Sequence, residues 1–243
     1  MAYVKDYSTS GSGSQTHSLA ETTASVYRDM YLWMTAGLGL TALTAYTVMD
    51  RAMHSDEFAA ILFSMPMMIG LAIVSLIMVI ALSTRIERMS FVVATTIFAL
   101  YSVVMGVWMS PVLFAYTSSS VFKVFLITAG TFGGMAVYGH VTKHDLSSIG
   151  RIAIMALWGV ILASVVNFFM NSEMMDYVVS YIAIAIFCGL TMYDVQRFKQ
   201  LILGYGDAAD DNVRKIALLG ALSLYLDFLN LFLHLLRLMG SRK

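Results

Sequence analysis

Apolar residues recur along this chain in seven unbroken runs of roughly 20, each closed by a polar cluster. The runs cover about 30–49, 58–83, 90–109, 121–141, 149–170, 177–199 and 215–239. Each is long enough to cross a hydrocarbon core ~30 Å thick. The linkers read "DRAMHSDE", "STRIERM", "SPVLFAYTSSS", "VTKHDLSS", "NSEMMD" and "GYGDAADDNVR". A membrane β-barrel would alternate polar and apolar residues over ~10-residue strands, and these runs do not alternate. The pattern predicts an all-α polytopic membrane protein, a seven-transmembrane-helix bundle in one domain, 28–243. Ahead of it, residues 1–27 include "STSGSGS" and read as a flexible polar tail. They lack the basic start, short apolar core and cleavage site of a signal peptide.

Composition strengthens this reading. Hydrophobic residues make up 59% and charged residues 12%, against about 25% charged in soluble domains. A formal net charge of zero argues against a nucleic-acid partner. The lone cysteine, Cys188, lies inside an apolar run, so no intrachain disulfide forms. Basic residues set orientation, because cytoplasmic loops carry the excess of Lys and Arg. With strict alternation, ten lie on the side of the N-terminus and five on the other. The N-terminus is therefore expected in the cytoplasm. Three of the five (Arg237, Arg242 and Lys243) follow the centre of the last run. A last helix that dips in and returns would also explain them. The absence of Pro or Gly between 221 and 239 favours a full span.

Fifteen acids occur, and only Asp194 and Asp227 lie well inside apolar runs. A carboxylate in hydrocarbon is expensive, so it faces a partner or a water cavity. In "ALSLYLDFLNLFLHLLRLMG", residues 221–240, helical spacing puts Ser223, Asp227, Asn230, His234 and Arg237 on one stripe. Asp194 and Arg197, three apart, share a face of the sixth run. With a turn at Gly204–Asn212, the two acids lie roughly 14 and 21 Å from it at 1.5 Å per residue. Helix tilt can make up the difference and let them meet. Two touching carboxylates cannot cheaply both ionise, so such a pair shares a proton. Asp194 and Asp227 are thus candidates for a pH sensor in an ion pathway. They are also possible ligands of Ca²⁺, which binds through oxygen. The plainer alternative is that each acid is only buried and hydrogen-bonded, Asp194 to Arg197 for instance.

Other motifs carry less. Tyr193–Asp194 and "GYGD" at Gly204–Asp207 spell the signatures of intramembrane aspartyl proteases. Asp207, however, belongs to an acid-rich turn only thirteen residues after Asp194. "HVTKHD" sets His140 and His144 at helical metal-ligand spacing, with no third ligand beyond Asp145. "GSGS" lacks the strand and helix of a nucleophile elbow. Ala129, Gly130, Gly133 and Gly134 give the fourth run a small face of the kind that lets membrane helices pack closely.

Four stretches resemble the transmembrane Bax inhibitor motif family, which includes the Bax inhibitor, the Lifeguard proteins and bacterial relatives. "ALSLYLDFLNLFLHLLRLMG" is similar to the family's last helix. "LTMYDVQRFKQ" looks like its sixth helix, "TFGGMAVYGHVTKHDLSSIG" its fourth helix and linker, and "VYRDMYLWMTAGLGLTALTA" its first. The similarity covers roughly 26–240. It implies a bundle with the C-terminal helix central and a pH-sensitive calcium leak. The two controlling aspartates are by motif Asp194 and Asp227. It also implies a basic latch near the end of the second helix, here Arg85, with Arg88 as second choice. Some relatives carry an acid inside the second helix; this chain has only Ser64, Ser75 and Ser83 as polar residues there.

Together these point to a pH-sensitive, calcium-permeable leak channel, with lipid, calcium ions and protons as partners and no cofactor. Two other classes remain open: a non-conducting regulator that binds a membrane protease or cell-death factor, and a proton/calcium antiporter. An enzyme is not expected, because no nucleophile, base and oxyanion set appears. Compact loops suggest a bacterial inner membrane.

Overall fold

The computed structural model describes residues 11–205 and 211–243, with side chains over 23–203 and 212–243. Helices α1 (Gly11–Met53), α2 (Asp56–Leu62), α3 (Met65–Arg85), α4 (Phe91–Ala115), α5 (Ser118–Val141), α6 (Ser147–Met170), α7 (Glu173–Tyr205) and α8 (Asp211–Met239) form an all-α bundle. A 3₁₀ turn, Ile86–Arg88, follows α3. Seven of the helices, all but α2, are long and apolar enough to cross a membrane.

α8 is the centre of the bundle. It packs against α1, α4, α5 and α7, and its first turns meet the 3₁₀ turn. Its apolar residues cover every side but the one polar stripe, and Leu224, Tyr225, Leu231 and Leu236 are fully enclosed. A helix apolar over so much of its circumference is stable only when other helices surround it. α8 also reaches both ends of the bundle. Its start borders Ile86 and Glu87. Beyond its end, Ser241 and Lys243 exchange backbone hydrogen bonds with Thr117 and Ala115 at the α4–α5 turn. The last helix therefore crosses the bundle without turning back.

Mid-bundle, a small polar knot ties three helices. The Thr41 hydroxyl donates to the Ser102 carbonyl at 2.9 Å and meets the Tyr225 hydroxyl at 2.6 Å. Gly106 allows α4 to approach α1 there, since a Cβ on it would stand 2.5 Å from the Thr44 Cβ. Gly139 does the same between α5 and α7, where a Cβ would collide with the Met192 carbonyl.

Four element expectations need correction. The second run is two helices, α2 and α3, broken at Phe63–Ser64. Pro66 opens α3 and has no N–H to continue the earlier helix. The third run continues through Pro111 to Ala115. Pro111 cannot donate to Val107, and the Ser110 hydroxyl does so instead at 2.7 Å. The small face of α5 does not pack within the chain: a Cβ on Gly130, Gly133 or Gly134 would meet nothing within 4 Å. α1 starts at Gly11, well ahead of its apolar run, so helix enters the stretch expected as tail. Apolarity marks only the bilayer-crossing part of a helix, whereas backbone hydrogen bonding carries on into water. The rest of that tail, 1–10, and the middle of the turn expected at Gly204–Asn212, residues 206–210, lie outside the described residues.

Candidate functional site: an acid pair between α7 and α8

α7 and α8 pack as neighbours along much of their length. The α8 stripe meets α7 at both ends. At one end it presents Ser223 and Asp227 to Asp194. Asn230 then folds back, its Nδ2 donating to the Leu226 carbonyl at 2.8 Å. His234 meets the Ser180 hydroxyl at 3.3 Å and stacks on Phe187. Arg237 closes the far end on Asp176 at 3.4 Å, whose carboxylate also accepts from Asn167 Nδ2 at 2.8 Å. The stripe is a seam between two helices rather than a lipid-facing strip.

Asp227 is 5% exposed. Among the described residues its Oδ2 is buried without a hydrogen-bond partner. Asp194 is the charged group acting on it. Asp194 is itself flanked by the Arg197 guanidinium and the Ser223 hydroxyl. Two acids 33 positions apart in sequence therefore lie within electrostatic reach of each other, Asp227 buried and Asp194 half-buried. Arg197 reaches outward from the pair, exposed, with its guanidinium 5.8 Å from the Phe198 ring centre.

Arg85 and Arg88 are exposed at the end of α3 and in the 3₁₀ turn. Neither is among the charged groups beside the aspartates, a place held by Arg197. A cavity of about 220 Å³ lies between that turn and α8, lined by Ile86, Glu87, Asn212, Lys215, Ile216 and Leu219. Leu219 is one helical turn before Ser223.

Sequence reading missed the residues that hold this end together. Gln196, two positions after Asp194, accepts from the Leu146 N–H and donates to the His144 carbonyl, both at 2.8 Å. Lys199 donates to the His140 carbonyl at 2.9 Å. The Tyr27 hydroxyl donates to the Val195 carbonyl at 3.0 Å. These bonds pin α1, the end of α5 and the α5–α6 linker to α7 around Asp194. The available signal was a glutamine and a lysine at the end of an apolar run.

The histidine motif does other work. The His140 ring stands edge-on to Tyr27. Asp145 accepts from the Ser147 N–H at 2.9 Å at the start of α6. Hydrogen bonds from Ser147, side chain first and then backbone, hold its carboxyl below the usual range, with help from Arg151. No group of three or more His, Cys, Asp or Glu that could hold a metal occurs among the described residues. Asp207 lies outside them.

The family model described as "Inhibitor of apoptosis-promoting Bax1" matches residues 23–243. The chain belongs to this Bax1 inhibitor family. Among relatives, the inner membrane protein YbhL of Escherichia coli strain K12 is 44% identical over 215 residues, 88% of this chain and 90% of YbhL. A protein of Borreliella burgdorferi is 39% identical, over 86% of this chain and 89% of its own length. One of Deinococcus radiodurans is 38% identical, over 87% and 88%. In this Bax1 inhibitor family member, the matched region takes in α1 from residue 23, all of α2 to α8, and both aspartates.

Proposed function

We propose that this integral membrane protein is a proton-regulated, calcium-permeable leak of a bacterial inner membrane, with its N-terminus in the cytoplasm. One observation carries the reading: half-buried Asp194 acts on buried Asp227 across the two innermost helices, and among the described residues one oxygen of Asp227 has no hydrogen-bond partner. An unpaired ionised carboxylate there is costly. The pair holds either a shared proton or a cation between its oxygens. Protons and calcium thus compete for one site, which is the chemistry of a pH-controlled cation path. Two carboxylates supply fewer oxygens than the six to eight that Ca²⁺ takes, so a passing ion keeps water. Such a site passes ions rather than storing them.

Gating follows from the looseness of α3. Of its 21 residues only Leu82 is buried, and its main packing partner is α4. A helix held by so few contacts moves at low cost. Its end carries Arg85 beside the cavity at the start of α8. Swung inward, Arg85 grips an ionised aspartate by two hydrogen bonds and closes that end at neutral pH. Protonation of the pair removes the grip.

Purified protein in liposomes with a calcium dye inside tests the reading. Calcium should enter without any partner, faster at acidic than at neutral pH. No entry at either pH assigns the protein to the non-conducting class. Entry that requires a pH gradient, and stops when pH is equal on both sides, assigns it to the antiporters.

A further inference from the structure

The space between α1 and α5 is an interior surface that the acid pair does not use. Both helices pack on α8. Near one end they meet each other through Tyr27 and His140, ring centres 4.9 Å apart. Farther along they diverge, leaving a cavity of about 460 Å³. Ala42 and Met49 line it from α1, Phe122 and Phe125 from α5, and Phe228 and Phe232 from α8. The volume falls in the ~300–1,000 Å³ range of small-molecule sites.

We propose that this groove holds one acyl chain of a phospholipid, drawn from the leaflet at the Met53 and Ala115 ends of α1 and α4. Three features select that occupant. The groove lies at membrane depth and is continuous with the lipid-facing surface, where Leu43, Tyr46 and Leu126 are exposed. Its chief polar group is already committed, since the Thr41 hydroxyl bonds Ser102 and Tyr225. Water finds few partners there, and an empty groove forfeits dispersion contacts on every wall. Its length is that of one leaflet: Leu38 to Met49 rises roughly 16 Å along α1, about half of a ~30 Å core.

The open end carries positive charge. Arg51 and Lys123 stand near the ends of α1 and α5 there, off the groove-lining faces, with long side chains at the level of the mouth, and the Arg51 guanidinium lies 5.8 Å from the Phe58 ring centre. Asp50, Asp56 and Glu57 are acids near this end, and Asp50 is occupied locally with His54. A chain seated in the groove rests on Phe228 and Leu229, the residues directly after Asp227.

A phospholipid with a diazirine at mid-chain, reconstituted with the whole protein and photolysed, tests this. Phe228 and Phe232 are 4% and 5% exposed, beyond the reach of bulk lipid, whereas Phe169 on α6 is 77% exposed. The expected result is adducts on both floor residues as well as on Phe169. Ala42→Trp fills the groove from its exposed wall. It should lower floor labelling about tenfold, equivalent to about 1.4 kcal/mol of lost affinity, and leave Phe169 unchanged. Lys123→Gln, remote from the core, should weaken floor labelling by the phospholipid but not by a diacylglycerol with the same chain. Labelling of Phe169 alone in the wild type overturns the proposal, as does floor labelling that Ala42→Trp leaves intact. Equal labelling by both lipids in wild type and Lys123→Gln removes the phosphate from the assignment. If Ala42→Trp does not fold, the wild-type floor-to-Phe169 comparison decides alone.

Discussion

Replacing Gln196 with alanine removes two hydrogen bonds at once and leaves two backbone groups to fend for themselves. Gln196 is buried, and so is Leu146, whose N–H it accepts. An enclosed backbone group left unpaired costs ~1–3 kcal/mol. The Leu146 N–H takes the upper part of that range because water cannot reach it. The His144 carbonyl lies at a half-open bond and loses less. The total is about 2–4 kcal/mol. For a chain of this size each kcal/mol shifts the melting temperature by roughly 2–4 °C, so a fall of about 5–15 °C is expected. Cys188, half-buried on α7 and the chain's one thiol, supplies the assay: a thiol-reactive fluorophore lights up as the bundle opens. Gln196→Glu keeps the acceptor for Leu146 but sets a carboxylate against the His144 carbonyl, and should fall between. Lys199→Met removes an exposed bond to the His140 carbonyl and should cost much less. If Gln196→Ala melts no lower than Lys199→Met, the linker is not held as described.

Gly139→Ala should destabilise by about 1–3 kcal/mol, because the new methyl group strikes the Met192 carbonyl. Gly134→Ala should be neutral or stabilising by up to ~1 kcal/mol, since open space surrounds it and alanine favours helix; the same melting assay separates the two. Arg85→Ala should raise calcium leak at neutral pH and Arg85→Lys restore only part of the closure; a folded Arg85→Ala protein with wild-type leak would make Arg85 a headgroup anchor. Asp145 is held below its usual range by Ser147, so its contribution to stability is present above the ordinary carboxylate range and lost as pH falls through its lowered value. Asp145→Asn should therefore lower the melting temperature at pH 7, and the difference should vanish in strong acid.

The spans were legible in the chain because hydrocarbon imposes one rule: a run of about 20 apolar residues must be helix. Asp194 and Asp227 stood out for the same reason, as acids where acids are expensive. What the pattern hid were features set by single hydrogen bonds. Ser64 and Pro66 break the second run, yet the apolar count across them does not change. The third run ends at 109 by apolarity, yet the helix continues through Pro111, because the Ser110 hydroxyl takes over the carbonyl that the proline abandons. The stripe on α8 was visible as a stripe. That its far half turns to Ser180 and Asp176 required knowing which helix lies alongside. The small face of α5 suggested packing, but small residues only permit close approach and do not supply a neighbour.

The most direct test of the acid pair is calcium entry into pure liposomes measured from pH 5 to pH 8 for wild type, Asp194→Asn and Asp227→Asn. The wild type should leak more as pH falls, and each asparagine variant, having no proton to share across the pair, should flatten most of that slope. A variant that folds, still conducts and keeps the wild-type pH profile would contradict a role for the Asp194–Asp227 pair as the proton-sensing element.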